Sequence, residues 1–409
     1  MTSSPDGRPA LEDFLASAER WLESRYARRT STGPRPFVWG EGSDDVRVFQ
    51  EPDPAEEAEA LPRIRAWRKA LWDAGFAWVD GPPELGGAGL PRSYARAFEQ
   101  LTRRFEVPGD SALAVSLGMI GPTVQEFGTE EQVRALLPAL RAGDLVACQL
   151  FSEPDAGSDL ASVRTRAVRD GEEWRVSGQK VWASGAHLAD VGVLLCRTSD
   201  GARHSDLTVL LVDMHAPGVL VRPLRQMTGG SAFSEVFLED VLVPDARRLG
   251  AEGGGWRVVM TVLGHERGVL GASPYGGAGI LSTERLVALM QHMARDDDPA
   301  VRLAFGELVA SLRAARALQQ VQGARAARGT HVPAASGLNK LALADNMARL
   351  SAFVSQVLGP RMLADTGEWG TWAWNAVVLG APGFRIGGGT DEILKNTLAQ
   401  RVLGLPRPT

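Results

Sequence analysis

Small polar residues are concentrated in the stretch 149–159, which reads Gln-Leu-Phe-Ser-Glu-Pro-Asp-Ala-Gly-Ser-Asp. A proline among such residues predicts a turn, where backbone amides and the hydroxyls of Ser152 and Ser158 can approach a ligand closely. The ordinary alternative is a polar turn before a strand, and composition alone favours it because turns are made of these residues anyway. The stretch is therefore a candidate ligand-binding loop.

An aromatic and a hydroxyl group follow one another in the stretch 180–185, which reads Lys-Val-Trp-Ala-Ser-Gly. A strand that presents the indole of Trp182 and then the hydroxyl of Ser184 could stack against a flat heteroaromatic ring and hydrogen-bond to it. For an isolated match, a core tryptophan beside a turn serine is the better interpretation.

Three glycines at 387–389 stand directly before Thr390 and a helical pattern. Glycines at a helix N-terminus let backbone N–H groups face an anion or a carbonyl oxygen. Because Asp391 and Glu392 already place negative charge at this helix end, a simple phosphate site is disfavoured. The chain has no dinucleotide-binding G-x-G-x-x-G after a strand and no P-loop motif, which argues against nicotinamide-fold dehydrogenases and P-loop enzymes.

One carboxylate, that of Glu266, falls on the apolar stripe of a predicted helix. The apolar residues at helical spacing are Trp256, Val259, Leu263 and Leu270. A carboxylate on a buried face is costly unless it is paired or used, and burial raises the pKa of a carboxyl toward that of a general base. An ion pair with Arg267 or with another helix is the alternative, which spacing alone favours.

The predicted type of secondary structure that must position these residues changes twice along the 409-residue chain. Helical periodicity covers the first 145 residues, with loops expected at 31–54 and 82–89. Strand-like segments follow up to residue 244, with a hairpin turn predicted at 177–178. Helical periodicity then returns, in segments predicted at 256–270, 277–295, 300–328, 340–358 and 390–403. This order predicts an α+β multidomain protein with an antiparallel β-barrel or sandwich in the middle.

Composition limits the class of protein. Lys and Arg number 44 against 49 Asp and Glu, a net charge of −5, so the chain is no generally basic nucleic-acid binder. Two cysteines and no H-E-x-x-H spacing give little support to a disulfide scaffold or a metal site. We see neither a signal peptide nor an apolar run long enough for a membrane span, and therefore expect a cytoplasmic protein.

Taken together and in order, these segments resemble the acyl-CoA dehydrogenase family from about residue 64 to residue 407. The strongest stretches are 148–159, continuing to 198, and 387–407, which begins Gly-Gly-Gly-Thr-Asp-Glu-Ile-Leu. The resemblance is closest to an actinobacterial-type branch that includes steroid side-chain dehydrogenases, through Trp67…Leu71…Gly75, Gly86-Gly87-Ala88-Gly89-Leu90 and Glu266-Arg267-Gly268. It implies an N-terminal helical domain (1–145), a middle β-domain (146–247) and a C-terminal four-helix bundle (248–409).

The resemblance also implies FAD, held between the β-domain and the bundle. Residues at positions that line or reach the flavin in this family are Gln149, Phe151, Ser152, Ser158, Trp182, Ser184, Thr390 and Glu392. Arg302 matches an arginine for the pyrophosphate of a neighbouring subunit's FAD. The family's glutamine-glycine-glycine segment is not recognisable around 378–384.

The position of the catalytic base distinguishes branches of the family. Many members carry a glutamate immediately before a Gly-Thr pair, where this chain has Gly388. Other branches place it on a helix before an arginine, and Glu266-Arg267 matches that arrangement. The resemblance therefore implies that Glu266 removes the α-proton while the β-hydride passes to flavin N5, giving a trans-2-enoyl thioester. It places Ser158, Arg267 and the backbone N–H of Gly388 at the substrate.

The implied partners are an acyl-CoA or acyl-carrier-protein thioester and, as electron acceptor, an electron-transfer flavoprotein, in lipid metabolism. A homodimer or homotetramer is expected, and a heteromer is open. Two other functions remain open at this point. One is a flavin oxidase or monooxygenase on the same fold, and the other is a non-catalytic subunit that contributes half of a composite FAD site.

Overall fold

Two compact units make up the chain. The computed structural model describes residues 8–29, 37–47, 51, 53–201, 204–272, 282–330, 335 and 337–406, without the side chains of 267–272 and 326–327. Unit 1 comprises Met1–Gly33, Pro52–Leu224 and Ser231–Val262, and unit 2 comprises Pro34–Glu51, Arg225–Gly230 and Leu263–Thr409. The division falls inside helix α6 (Gly255–Ala272).

Among the described residues, five α-helices precede the strands of unit 1, in the region where the periodicity predicts helices. They are α1 (Leu11–Glu23), α2 (Pro54–Asp73), α3 (Arg92–Thr102), α4 (Gly121–Phe127) and α5 (Glu130–Ala142). One apolar face of α1 packs with Trp67 and Leu71 of α2 and Phe98 of α3 into a single core. Helix α5 starts at a capping box, in which Thr129 and Gln132 satisfy each other's backbone N–H groups. The Gln132 amide also donates to two carbonyls at 246 and 248, both at 2.9 Å, and so joins α5 to the sheet region.

Eight strands form the sheet of unit 1. They are β1 (Ala147–Leu150), β2 (Arg166–Asp170), β3 (Glu173–Ser184), β4 (Val191–Arg197), β5 (Leu207–Asp213), β6 (Val219–Leu224), β7 (Phe233–Pro244) and β8 (Arg248–Leu249). The order is β6-β7-β3-β2-β4-β5-β8, with β1 on β4. Most pairs are antiparallel as predicted, but β1 and β2 each pair with β4 in parallel. Neither β1 nor β2 is joined to β4 by a tight hairpin. The alternation of apolar and polar residues within a strand therefore does not predict this parallel pairing.

The predicted hairpin turn at 177–178 is wrong. Strand β3 runs through both residues, and Gly178 pairs with Leu238 of β7. The turn lies at Gly171, whose φ of +63° suits glycine, between β2 and β3. At Gly178 a Cβ would come within 2.4 Å of the Thr165 Oγ1. The lack of a side chain at this glycine therefore lets β3 pack closely against the segment that contains Thr165.

Helices build unit 2 around one core. After α6 they are α7 (Thr283–His292), α8 (Pro299–Ala327), α9 (Gly337–Leu358), α10 (Asn375–Ile386) and α11 (Asp391–Arg401). Helix α10 was not predicted, and the predicted start of α7 at 277 lies outside the described residues. An irregular segment, 37–47, belongs to this unit. Its Val46 is fully buried in the helical core, and two of its carbonyls accept hydrogen bonds from Arg285 of α7.

Candidate active site

The loop that follows β1 brings the first predicted group of site residues onto the edge of β3. Phe151 is buried, Ser152 is half-buried, and Ser158 lies exposed further along the loop. The carbonyl of Ser152 accepts the N–H of Val181 at 2.9 Å, so loop and strand are hydrogen-bonded beside Trp182. Phe151, Ser152 and Trp182 therefore meet at the edge of β3 that continues beyond its ladder with β2, which ends at Ser177.

Gln149, near the end of β1, has an unusual side chain. Its Oε1 is buried and accepts no hydrogen bond among the described residues. An unsatisfied buried acceptor costs about 1–3 kcal/mol. The atom is therefore poised to accept a hydrogen bond from a bound group.

Trp182 holds a strained backbone conformation that turns its ring outward. Its φ is +61°, in the left-handed region, and the register of β3 on β7 shifts between Lys180 and Ala183. For a bulky residue this conformation costs about 1–3 kcal/mol and persists only where its surroundings impose it. Trp182 is 53% exposed, and its ring lies nearly perpendicular to that of Phe233, with the ring centroids 5.7 Å apart. Aromatic surface is thus exposed two residues from Ser184, which is half-buried.

A buried ion pair, the loop pair, joins Lys180 of β3 to Glu153 of the loop. Lys180 is fully buried, and its Nζ lies 2.8 Å from Glu153 Oε1 and 3.0 Å from the carbonyl oxygen of Phe151. The same carboxylate accepts the N–H groups of Arg164 (2.6 Å) and Thr165 (2.8 Å). Burial favours a higher pKa for Glu153, but Lys180 and these donors outweigh it and hold that pKa below its usual range. Burial lowers the pKa of the Lys180 ammonium, which Glu153 opposes.

The glycine turn between α10 and α11 forms a second group. Gly388 and Gly389 have φ of +69° and +93°, conformations that disfavour any residue with a Cβ. Thr390 then caps α11, its Oγ1 accepting the N–H of Ile393 at 3.2 Å. Glu392 lies exposed in the first turn of the helix. Gly388, Thr390 and Glu392 thus belong to one turn, as their sequence adjacency requires.

A second buried ion pair, the helix pair, joins Lys340 of α9 to Asp391 at the start of α11. Lys340 Nζ lies 3.1 Å from Asp391 Oδ1, while Arg385 Nε of α10 lies 3.0 Å from Oδ2. Burial favours a higher pKa for Asp391, but Arg385 and Lys340 hold it below its usual range. Because Asp391 follows the glycine turn directly, three helices converge on the residue that ends this turn.

Glu266 lies on α6, but it is half-buried, so the predicted burial of its face is only partial. Val259 of the same stripe is fully buried, whereas Trp256 and Leu263 are half-buried. Arg267 continues the helix, and its side chain lies outside the described residues, as does that of Leu270. The predicted alternative of a Glu266–Arg267 ion pair therefore stays a prediction.

Arg302 lies on α8. Its side chain is 66% exposed, and its Nη1 lies 4.0 Å from Asp297 Oδ1. The segment 378–384, searched for a glutamine-glycine-glycine motif, forms part of α10. Among the described residues, no group of three or more His, Cys, Asp and Glu side chains is arranged to hold a metal ion.

Sequence reasoning did not assign a role to Lys180 or Lys340, although each carries a signal. Lys180 has the same parity along β3 as the buried Trp174 and Val176. Lys340 follows the helical spacing of the buried Ala344 and Met347 on α9. A lysine at an inward-facing position predicts a buried acidic partner, since an unpaired buried ammonium is costly.

Comparison with known proteins identifies the class. Three acyl-CoA dehydrogenase models match in succession: the N-terminal domain at 46–144, the middle domain at 148–241 and the C-terminal domain at 253–403. The chain belongs to the acyl-CoA dehydrogenase family and is an oxidoreductase of that class, with its α+β fold. Members of this family are FAD-dependent flavoproteins.

Individual relatives match from about half of the chain to nearly all of it. It is 39% identical over 403 residues to acyl-CoA dehydrogenase IpdE1 of Mycobacterium tuberculosis (strain ATCC 25618 / H37Rv), which spans 97% of this chain and 98% of that protein. Human mitochondrial short-chain specific acyl-CoA dehydrogenase is 31% identical over 198 residues, 48% of each chain. The solved Tcur3481-Tcur3483 steroid ACAD superimposes with a TM-score of 0.70 at 27% identity, covering 100% of both chains. None of the helices in the described part of this chain is both long and apolar enough to cross a membrane.

Proposed function

We propose that this chain is a FAD-dependent dehydrogenase of acyl-CoA or acyl-carrier-protein thioesters that forms the trans-2-enoyl thioester. The observation that carries the proposal is similarity along 97% of the chain to a protein named as an acyl-CoA dehydrogenase. When bound, FAD supplies the acceptor for the β-hydride of the substrate. The residues of the chain bind and orient the reactants and remove the α-proton.

The unit 1 group supports FAD as the cofactor. The half-exposed indole of Trp182 offers a stacking surface for a flat ring, and the hydroxyls of Ser152 and Ser184 can exchange hydrogen bonds with its edge. The buried Oε1 of Gln149 needs a donor, which a flavin N–H or hydroxyl provides. In this proposal Phe151 and Ser158 complete the flavin-binding edge.

The unit 2 group supports the roles that the family resemblance gives to Gly388, Thr390 and Glu392. A backbone N–H at Gly388 would donate to the thioester carbonyl and stabilise the negative charge that develops there. Thr390 and Glu392 would reach the flavin nucleotide. Arg302 keeps its proposed role toward the pyrophosphate of a neighbouring subunit's FAD, for which its exposure leaves it available.

Glu266 is the proposed base. The position that carries the glutamate in many relatives is Gly388 here, and its left-handed backbone disfavours a side chain. Glu266 would take the α-proton, with Arg267 near the substrate. The test is exchange of the substrate α-hydrogen with D₂O, followed by mass spectrometry. We expect incorporation with the wild-type protein and with Glu126→Gln, an exposed control, and none with Glu266→Gln. Exchange by Glu266→Gln at the wild-type rate would overturn the assignment.

The reaction itself is tested by anaerobic bleaching. The purified protein is mixed with straight-chain, branched, aromatic and steroid-ring acyl-CoA thioesters, and the flavin absorbance is followed. We expect full bleaching by at least one class and recovery on addition of an electron-transfer flavoprotein, the proposed acceptor. Rapid recovery in air with peroxide release would instead indicate an oxidase.

A half-site subunit of a heteromer is the second candidate function. It is favoured by the absence of a glutamate at position 388 and by the similarity to the two-component Tcur3481-Tcur3483 protein. Size-exclusion chromatography with absorbance detection separates the two candidates. A yellow homo-oligomer that is bleached by substrate supports the first function, whereas a colourless chain that binds FAD only with a different subunit supports the second.

A further inference from the structure

Lys180 is a cation enclosed entirely by unit 1. Its side chain has no exposed surface, and its Nζ contacts two oxygens, the Glu153 carboxylate at 2.8 Å and the Phe151 carbonyl at 3.0 Å. Removing two charges from water is expensive, and their attraction offsets this only where the geometry is good and the remaining groups are hydrogen-bonded. Both conditions hold here, so the loop pair fixes two residues of the loop relative to β3.

Glu153 extends this attachment to the far end of the loop. Its two carboxylate oxygens accept the N–H groups of Arg164 and Thr165, eleven and twelve residues further along. Glu153 and Ala156 also exchange backbone hydrogen bonds at 3.0 and 3.1 Å. One carboxylate therefore closes the segment 153–165 and ties it through Lys180 to the strand.

The attachment point is two residues from the strained Trp182. Val181, between Lys180 and Trp182, donates its N–H to the Ser152 carbonyl at 2.9 Å. The second of the two register shifts between β3 and β7 falls between Lys180 and Ala183, and so spans Trp182. A left-handed tryptophan persists only where neighbouring contacts impose it. The hydrogen bonds of Lys180 and Val181 to the loop are such contacts, two residues and one residue before Trp182.

We propose that Lys180 is a positioning residue for the flavin-binding edge. Acting through Glu153 and the Phe151 carbonyl, it holds Phe151, Ser152 and the outward indole of Trp182 in the arrangement that binds FAD. The inference rests on the proposed function, because it takes FAD as the ligand of this edge. A purely structural role for the pair would lower stability without changing how this edge meets the flavin.

The test uses the full-length protein and the substitution Lys180→Met, which keeps the length of the side chain without its charge. We expect FAD to bind roughly tenfold or more weakly, because residues that support a binding site typically have effects of this size. We also expect an altered visible spectrum of the bound flavin and faster amide hydrogen exchange at Arg164, Thr165 and Val181. Arg68→Met is the matched control, since Arg68 is also a buried cation of unit 1, and its guanidinium hydrogen-bonds to residues 77, 110 and 141, outside the loop and β3.

A double-mutant cycle separates the two roles and covers the case in which Lys180→Met does not fold. Glu153→Gln is expected to weaken FAD binding in the same direction. If Lys180 acts through Glu153, the double variant will bind FAD about as weakly as the weaker single variant. Additive losses, or a Lys180→Met or Glu153→Gln protein with the wild-type affinity and spectrum, would overturn the inference. Wild-type protein that binds no FAD would contradict the proposed function itself.

Discussion

The loop pair and the helix pair are alike in composition but differ in their surroundings. Each joins a buried lysine to a carboxylate at a turn, Lys180 to Glu153 in unit 1 and Lys340 to Asp391 in unit 2. The Glu153 carboxylate also accepts hydrogen bonds from two backbone N–H groups of its own loop, those of Arg164 and Thr165. The Asp391 carboxylate is instead shared with a second cation, Arg385, whose side chain is 55% exposed. We therefore expect a buried lysine to contribute more to stability where no other cation contacts the same carboxylate.

The largest expected effect on stability is that of Lys180→Met. It leaves Glu153 buried without its cation, and breaking a buried pair in this way costs about 3–5 kcal/mol. The free energy of unfolding, measured by urea denaturation, should fall by that amount. A loss below about 1 kcal/mol, the size typical of surface pairs, would show that the backbone donors alone satisfy Glu153.

Lys340→Met should have a smaller effect, because Arg385 remains beside Asp391 and the start of α11 also favours negative charge. We expect a loss of about 1–3 kcal/mol in the same assay. Arg349→Met is the control on the same helix, since it removes an exposed pair with Asp345 and should cost less than about 0.5 kcal/mol. A cost for Lys340→Met equal to that of Lys180→Met would remove the distinction between the pairs.

Acid should weaken both pairs. The pKa values of Glu153 and Asp391 lie below their ordinary 4.5 and 3.8 in the folded protein. A carboxyl with a lowered folded-state pKa stabilises the protein above its unfolded pKa, and this contribution is lost as the pH falls through the folded value. The free energy of unfolding should therefore fall below about pH 5, less steeply in Glu153→Gln and in Asp391→Asn. If the free energy of unfolding of both variants fell with pH as steeply as that of the wild type, Glu153 and Asp391 would not be responsible for the loss of stability in acid.

The smallest expected effect is that of Arg385→Gln. The guanidinium is more than half exposed, and Lys340 still contacts Asp391 after the change. A loss below about 1 kcal/mol is expected from chemical denaturation. A loss larger than that of Lys340→Met would mean that the exposed cation, and not the buried one, holds the start of α11.

Much of the fold could be predicted from the sequence, because periodicity reports burial directly. Helices α8 and α9 lie close to their predicted spans of 300–328 and 340–358, and all the strands except β8 end by residue 244, as predicted. Parallel pairing of β1 with β4 and the uninterrupted course of β3 through Gly178 depend on contacts between distant segments, which local patterns do not encode. Helix α10 was missed, since Pro382 and three glycines between 380 and 387 disturb its pattern.

The sequence pointed to the proposed members of the candidate site but not to the residues that hold them in place. The motifs around Ser152, Trp182 and Thr390 identified segments whose geometry suits ligand binding. The left-handed conformation of Trp182 follows from the register shift between β3 and β7, which no sequence spacing announces. The two buried lysines do leave a signal in the sequence. Lys180 falls at an inward-facing position of its strand and Lys340 at an inward-facing position of its helix, and a charge at such a position indicates a buried partner.

The central claim, that the chain dehydrogenates acyl thioesters with Glu266 as the base, is tested most directly by single-turnover flavin reduction. Wild-type, Glu126→Gln and Glu266→Gln proteins are loaded with FAD and mixed anaerobically with an acyl-CoA that bleaches the wild type. We predict that Glu126→Gln matches the wild-type rate, while Glu266→Gln is slower by about a hundred- to ten-thousandfold, the usual contribution of a general base. Reduction of FAD-loaded Glu266→Gln at the wild-type rate would contradict the account.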